Sequence, residues 1–305
     1  MSAYTTTDLI KSVRVRGMFP DASAGTLSAD NILLIASEEL RLSIVPMILA
    51  VREKYYETYV DYDLESGRGL YPIPDRAVGG IASCVQYILN QSVSNLPPLD
   101  PNQVATTVTG SYPKGFYFEN DHVVMYPTPN SSSGTVRIRY FKRPSLLEQT
   151  INCAQITAVD DTASTVTVRS MPSSWSSAMA YDFISNTVPY TPYGIDTIAD
   201  GIDLTNLVMT FTTSGLPRDT DDRLMPKVGD WVALAGYTPL PEVMSEFFPL
   251  LAQATAVKLL EAIGDKENMT IAAAKLKAYA DGAIRLITPR DQFGLKKVKS
   301  DWRNW

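Results

Sequence analysis

Apolar residues recur at helical spacing in the first hundred residues of the chain. One short run, "TTTDLIKSVRVRG", predicts a helix that ends at a glycine. A longer run follows a serine N-cap and predicts an amphipathic helix whose apolar positions are Ile32, Ile35, Ala36, Leu40 and Ile44. Pro46 is expected to kink or break this helix, because proline lacks a backbone donor and clashes one turn back.

A further helix is predicted after the stretch "GLYPIPDRAVGG". Pro74 suits its first turn, where a missing N–H costs little. The body of this helix is assigned to "RAVGGIASCVQYILNQ", which places Gly79 and Gly80 inside it. Glycine in a helix interior costs about 1 kcal/mol relative to alanine. We therefore interpret the pair as a position where another backbone, such as that of the long second helix, comes close.

From residue 101 the period of the pattern changes from helical spacing to alternation. Phe116 and Phe118, and later Val136, Ile138 and Tyr140, alternate with polar residues between turn-forming stretches, which predicts a β-meander. The segment "AQITAVDDTASTVTVRSMP" predicts another hairpin. Residues up to 236 stay rich in Thr, Val, Pro and Gly, which favours a small all-β module of sandwich or barrel type.

Helical spacing returns at "YTPLPEVMSEFFPLLAQATAVKLLEAIGD" and continues to Pro289, which predicts two closing helices. The predicted fold class is therefore α+β: a helical bundle from the N- and C-terminal segments with a large β-rich insertion. The predicted segments are 1–100 (first part of the bundle), 101–147 (meander), 148–236 (inserted all-β module), 237–290 (second part of the bundle) and 291–305 (an extended arm).

Composition and charge narrow the classes of function. The 305 residues are 45% hydrophobic and 20% charged, as in an ordinary globular protein. A net charge of −6 disfavours a surface that grips nucleic acid, although it allows DNA to pass nearby. No apolar run is long enough to span a membrane and no secretory signal is recognisable, so we expect assembly in a cytosol, with Cys84 and Cys153 reduced.

The residues that could carry catalysis or bind a metal are few. His122 is the single histidine, and no nucleophile motif accompanies it. No phosphate-binding glycine loop is present. The acidic cluster Asp219, Asp221 and Asp222 lacks a distal glutamate at calcium-loop spacing, which favours a solvated loop. The sequence therefore predicts no catalytic residue, no cofactor and no metal site.

The last residues combine basic and aromatic side chains. The cationic positions are Lys296, Lys297, Lys299 and Arg303, and they are interleaved with Trp302 and Trp305. Tryptophan and arginine are enriched as anchors at protein interfaces, which favours an arm that docks on a partner. A frayed terminus and packing of the tryptophans on the chain's own bundle remain open. Nucleic-acid binding is disfavoured by the short basic cluster and the acidic chain.

Four stretches in this order resemble the head-to-tail adaptor (connector, head-completion) proteins of tailed bacteriophages. They are the opening helical run up to "VREKYY", the proline-led "YPIPDRAVGG", the strand "VRIRYFKRPSLL" and the closing "LPEVMSEFFPLLAQATAVKLLEAIGDKE…ITPR". Together they cover about half of the chain. The module at 148–236 lies outside the minimal pattern of that family.

The resemblance implies a structural virion protein rather than an enzyme. It implies a ring, commonly a dodecamer, that stacks on the portal protein at one capsid vertex after assembly in the host cytoplasm. Such a ring extends the channel through which double-stranded DNA leaves, without reading its sequence, and gives tail or nozzle proteins their attachment surface. It also places residues 292–305 on the portal. In a ring, Pro74, Gly79 and Gly80 can equally pack against a neighbouring subunit.

Two alternatives remain from the sequence. The chain can be another neck or tail component whose β module binds a receptor or decoration protein through Trp175, Tyr190 and Tyr193. It can also be an enzyme such as a cell-wall hydrolase, although no carboxylate pair is recognisable. The small number of residues that could carry catalysis favours the structural adaptor over an enzyme.

Overall fold

A computed structural model describes residues 3–20, 27–104, 108–213, 215–218 and 224–288. Within these residues the helices are α1 Thr6–Gly17, α2 Ala29–Glu39, α3 Val45–Val51, α4 Phe248–Ile263 and α5 Lys266–Ile287. The strands of the first half are β1 Glu57–Asp63, β2 Leu70–Pro72, β3 Ala77–Leu89, β4 Ser92–Asn95, β5 Thr109–Gly110, β6 Gly115–Glu119, β7 His122–Tyr126, β8 Thr128–Pro129 and β9 Thr135–Lys142. Those of the second half are β10 Leu146–Leu147, β11 Ala154–Asp160, β12 Thr165–Val168, β13 Ala180–Ile184, β14 Pro192–Ile198, β15 Gly201–Asp203, β16 Val208–Thr210, β17 Trp231–Leu234 and β18 Tyr237–Thr238.

The predicted α+β class is confirmed, and both ends of the chain build one helical bundle. α4 is its central helix, and α1, α2 and α5 pack against it. Leu9 of α1, Ile32 of α2 and Leu259 of α4 are fully buried in one shared core. The bundle therefore closes only when the two ends of the sequence meet.

The N-terminal helices begin and bend where local chemistry requires it. At α1 the side chain of Thr5 accepts from the backbone N–H of Asp8, and the Asp8 carboxylate accepts from the N–H of Thr5, which forms a capping box. Between α2 and α3 the backbone is π-helical over Leu40–Ile44, and Pro46 lies in the first turn of α3. The predicted break at Pro46 is therefore a π-bulge, which offsets the proline ring from the preceding turn.

The helix predicted after Pro74 is wrong, because this segment is the 13-residue strand β3. The helices of the N-terminal region end at Val51, so residues 57–100 belong to the β structure and not to the bundle. β3 pairs with both β9 and β4, and Val85 and Tyr87 enter a β-sheet core. Its Val, Ile and Tyr residues suit a pleated surface, and strand pairing on two sides outweighs local helical spacing.

Two sheets enclose the core of the middle region. The four-stranded sheet has the order β1-β9-β3-β4, and the three-stranded sheet has the order β2-β7-β6. Tyr71, Val123 and Ile138 are completely buried between them. The antiparallel hairpin of β6 and β7 turns at Asn120, whose φ is +53°. β9 pairs with β1 and β3 in the other sheet, so this region holds strands where alternation predicted them but only a hairpin in place of the predicted meander.

The β module is a single seven-stranded sheet that folds back on itself. Its order is β14-β13-β17-β11-β12-β16-β15. Phe183 on β13 and Phe211 after β16 have ring centroids 5.5 Å apart. Four strand spacings of about 4.8 Å would separate these positions in a flat sheet. The sheet therefore curls around one core, as expected of a sandwich or barrel.

The module is inserted at one point of the chain and is firmly attached there. β10, before the module, pairs in parallel with β18, after it. Ile184, Tyr190 and Ala233 of the module are buried in the core of the helical bundle. The β module and the bundle therefore pack against each other through shared apolar surface. They are not two units joined only by a linker.

Candidate assembly surfaces

Pro74, Gly79 and Gly80 lie at the start of β3, where the strand bulges. β3 advances from Ala77 to Ala82 while its partner β9 moves back only from Lys142 to Tyr140. The φ angles of Gly79 and Gly80 are +68° and +64°, which suit glycine, so the pair forms the bulge. The carbonyl of Pro74 accepts from the N–H of Ala77 at 2.8 Å, which makes a turn ahead of the strand.

The predicted role of these glycines inside the bundle is wrong. A methyl group built at Gly80 meets nothing within 4 Å, and one at Gly79 meets only the side chain of Ile81. Among the described residues, no other backbone therefore occupies the space that a side chain at either glycine would take. The bulge instead exposes the apolar side chains of Val78 and Ile81, the second with 59% of its surface in solvent. Contact with a neighbouring subunit at this bulge stays a prediction.

An arginine next to the bulge ties β3 to the β module. The guanidinium of Arg76 donates two hydrogen bonds to the Asp182 carboxylate, at 2.7 and 3.0 Å, and one to Asp196 at 2.7 Å. The N–H groups of Asp196 and Gly236 also donate to Asp182. Burial raises the pKa of Asp182, and Arg76 opposes that effect. No pattern in the sequence connects Arg76 with a partner 106 residues away, so this contact was missed.

The outer surface of α2 carries exposed leucines. Leu34 is 55% exposed, and Leu42, in the π-helical segment, is 76% exposed. Glu38 lies between them at a spacing of four residues on each side. Because residues four apart share a helix face, the two leucines lie on one outward face of the bundle with the exposed Glu38 between them. We call Leu34 and Leu42 the α2 stripe.

α5 has two faces with different roles. Its inner face packs on the bundle through Ala272, Leu276, Ala280, Ala283 and Ile287. Its outer face carries Ile271, Ala274, Ala278, Gly282 and Leu286, spaced by three or four residues. Ile271 and Leu286 are 54% and 66% exposed. We call these outer residues the α5 stripe; small side chains between two apolar ends let another helix approach closely.

The docking residues predicted near the C-terminus cannot be placed. Lys296, Lys297, Lys299, Trp302, Arg303 and Trp305 lie outside the described residues. The described chain ends just after α5, whose last carbonyl, of Ile287, accepts from the Nε of Arg52 at 3.3 Å. The described part of the chain therefore ends beside the end of α3, and the docking role of the arm stays a prediction.

The described residues hold no constellation typical of catalysis or metal binding. His122 Nδ1 lies 2.6 Å from the carboxylate of the adjacent Asp121. The Asp61 carboxylate accepts two hydrogen bonds from Arg137 across the β1–β9 pair. In the part of the chain that is described, no three His, Cys, Asp or Glu side chains group to hold a metal ion. Asp219, Asp221 and Asp222 lie outside it.

The aromatic residues that were proposed as a receptor contact are buried, so that prediction is wrong. Trp175, Tyr190 and Tyr193 all have less than a twentieth of their surface exposed. The hydroxyl of Tyr190 accepts from the N–H of Tyr4, and its ring stacks on Phe248. The hydroxyl of Tyr193 donates to Asp230 at 3.0 Å. These rings attach the module to the bundle and fill its core.

Comparison with known families identifies the chain. The model of the SU10 adaptor protein family matches residues 4–168, which is more than half of the sequence. The matched part includes α1 to α3, both sheets of the middle region and the first hairpin of the β module, and it ends before α4 and α5. No curated protein matches the sequence. Among the described helices, none is both long and apolar enough to cross a bilayer. The chain therefore belongs to the SU10 adaptor protein family of tailed-phage head-to-tail adaptors and is a structural component of the virion.

Proposed function

We propose that the chain forms a ring between the portal protein and the tail, extends the DNA channel and carries the surface to which tail or nozzle proteins attach. The observation that carries this proposal is the family match over residues 4–168. An adaptor has to contact copies of itself and two different neighbours. The exposed apolar stripes of the bundle and the protruding bulge of β3 supply separate surfaces for these contacts.

Ring closure requires two different faces on each subunit. In a heterologous contact, one face of a subunit meets a different face of the next. The α2 stripe and the α5 stripe fit this requirement, because they lie on separate helices that both pack on α4. Apolar stripes of exposed Leu and Ile would be buried when the two meet. We assign the subunit contact to the α2 stripe of one copy and the α5 stripe of the next.

The charge distribution fits a channel through which DNA slides. Residues 289–305 carry five Lys or Arg and two Asp, so the segment is +3. The rest of the chain, with 22 basic and 31 acidic side chains, is −9. An acidic ring repels phosphates and holds no DNA in place, whereas a basic arm suits an acidic partner such as a portal surface.

Ring formation is tested by mixing the purified chain with purified portal and imaging the complexes by electron microscopy. The wild-type chain should stack as a ring on the portal. Leu42→Glu should abolish the ring, because a carboxylate would be buried in the subunit contact. Leu204→Glu, on an exposed position of the β module, is the matched control and should leave the ring intact. Normal rings from Leu42→Glu would refute the assigned contact, and wild-type particles that never join the portal would refute the function.

The role of the arm is tested separately by deleting residues 292–305. The truncated chain should fold normally, since the bundle is complete at Ile287, and should fail to bind the portal. Binding is measured by co-sedimentation at several salt concentrations, and screening should weaken the wild-type interaction. Unchanged portal binding by the truncated chain would show that the arm has another role.

A further inference from the structure

A groove runs between the four-stranded sheet and the β module. Two adjoining cavities of about 330 and 550 Å³ form it, and both are lined by Ile195 and Asp196 of β14. A third cavity, of about 830 Å³, adjoins them on the module side, where β14 faces residues 215–218. The middle cavity is also lined by residues 58–62 of β1 and by the rings of Tyr140 and Tyr193. The groove therefore has β1 along one wall and β14 along the other.

Both walls of the groove are edges of sheets. β1 is the terminal strand of the four-stranded sheet, and β14 is the terminal strand of the seven-stranded sheet. Five consecutive residues of β1, 58–62, line the middle cavity, and five of β14, 194–198, line the largest one. Successive side chains of a strand point to opposite faces, so a cavity that meets every residue in turn faces the backbone edge.

Such a groove fits an extended polypeptide. A sheet edge presents backbone N–H and C=O groups that an added strand can pair with, and aromatic side chains along the groove supply pockets for alternate residues. β1 is the better of the two templates, because β14 is interrupted at Asp196, whose φ of +53° and shifted register distort its edge. Rings of Tyr59, Tyr62 and Tyr140 lie along the β1 side.

The described part of the chain ends beside the segment that leads into β1. Arg52, which donates to the last carbonyl of α5, is the residue after α3 and lies five positions before β1. Seventeen residues, 289–305, follow the described part of α5. Fully extended, they span up to about 58 Å, whereas the seven residues of β1 span about 23 Å. The arm is therefore long enough to run along the whole of β1.

We propose that in the free subunit the groove holds the chain's own C-terminal arm, residues 291–305, as a strand added to the edge of β1. A portal surface that binds the arm then has to compete with the groove, so the arm is kept from non-specific contacts until the portal is present. The inference concerns the subunit before assembly, and its test involves no portal, so it succeeds or fails independently of the proposed function.

The test is amide hydrogen exchange on the full-length chain at low concentration. Wild type is compared with a variant that lacks residues 292–305, a deletion that lies outside the described fold. The amides of β1 that point away from β9 should exchange about tenfold faster in the variant, because the added strand no longer protects them. Those of β4, an edge strand at the other end of the same sheet, should not change. Equal β1 exchange in both proteins would overturn the proposal.

A second pair of variants tests the groove itself. Ile195→Lys places a cation in the centre of the groove and should speed β1 exchange as the arm variant does, whereas Leu204→Lys, elsewhere on the module, should not. Protection by the chain's own arm is independent of protein concentration. Protection that disappears on dilution would assign the groove to the arm of a second copy and overturn the proposal, as would unchanged exchange in Ile195→Lys with its fold intact by circular dichroism.

Discussion

The neighbouring helices α4 and α5 differ in how much of their surface the subunit uses. α4 has 16 residues, ten of them buried, and is enclosed by other elements along most of its length. α5 has 22 residues, and only Ala272, Ala283 and Ile287 are buried. A helix whose outer face is apolar yet exposed has surface available for another molecule. The contrast separates a helix that holds the subunit together from one that is available to join subunits.

The polar residues of α4 support this division. Gln253 is buried, accepts a hydrogen bond from Arg16 of α1 at 3.1 Å, and donates one to the carbonyl of Ala272 on α5 at 3.0 Å. Thr255 is fully buried and donates to the carbonyl of Leu251 in its own helix. Both buried polar side chains of α4 therefore have hydrogen-bond partners within the subunit, as buried polar groups require.

The largest effect is expected from Leu259→Ala in α4. Leu259 is completely buried, so its truncation should lower the free energy of unfolding by about 2–5 kcal/mol through lost burial and a residual cavity. Ile271→Ala on the α5 stripe should change it by less than about 0.5 kcal/mol. Urea unfolding of both variants measures this, and equal losses would remove the distinction between the helices.

The two faces of α5 are compared by enlarging one alanine on each. Ala283→Leu adds three carbons to a closely packed position and should cost about 1–3 kcal/mol of unfolding free energy. Ala278→Leu makes the same change on the α5 stripe and should leave the isolated subunit almost unaffected. Thermal unfolding at a concentration where the chain is monomeric provides the measurement. A loss in Ala278→Leu as large as that in Ala283→Leu would mean that the stripe packs inside the subunit.

The turn between the helices is expected to respond more weakly. Gly264 ends α4 with a φ of +78°, and a Cβ built there meets nothing within 4 Å. Gly264→Ala should therefore cost about 1–2 kcal/mol through backbone strain alone. Gly264→Asn should cost less, since asparagine tolerates the left-handed region. Equal denaturant midpoints for the two variants would show that backbone strain does not limit this turn.

The smallest change in stability is expected from Ile271→Glu. The free energy of unfolding should stay within about 0.5 kcal/mol of wild type, because Ile271 contacts mainly solvent in the subunit. Association between subunits should weaken, since the α5 stripe then carries a charge. Sedimentation velocity over a concentration series measures this association, with Leu204→Glu as the control variant. Undiminished association would exclude Ile271 from the subunit contact.

The sequence correctly predicts the elements whose local residue pattern agrees with their packing in the folded chain. Helical spacing located α4 and α5, and Gly264 marked the end of α4. β3 was missed because its segment has apolar spacing compatible with a helix, while its strand conformation depends on pairing with β9, about 50 residues later. The glycine pair was noticed for the right reason, an unusual backbone, but its positive φ angles serve a bulge and not close helix packing.

The candidate surfaces were predicted less completely than the fold. The basic and aromatic arm is visible in the sequence because its composition differs from that of the acidic body. The α5 stripe is not, since apolar residues at helical spacing look alike whether they face the core or solvent. The β1–β14 groove depends on which strands lie at the ends of two sheets, and strand order is set by long-range pairing. Arg76 and Asp182 depend on the same long-range arrangement.

The measurement that tests the account most directly is a cryo-electron microscopy map of the chain assembled on its portal, at a resolution that shows side chains. We expect a closed ring in which Ile271 and Leu286 of one subunit are covered by Leu34 and Leu42 of the next. A ring in which the outer face of α5 remains in solvent, while subunits meet through other surfaces, would contradict the division of roles between α4 and α5.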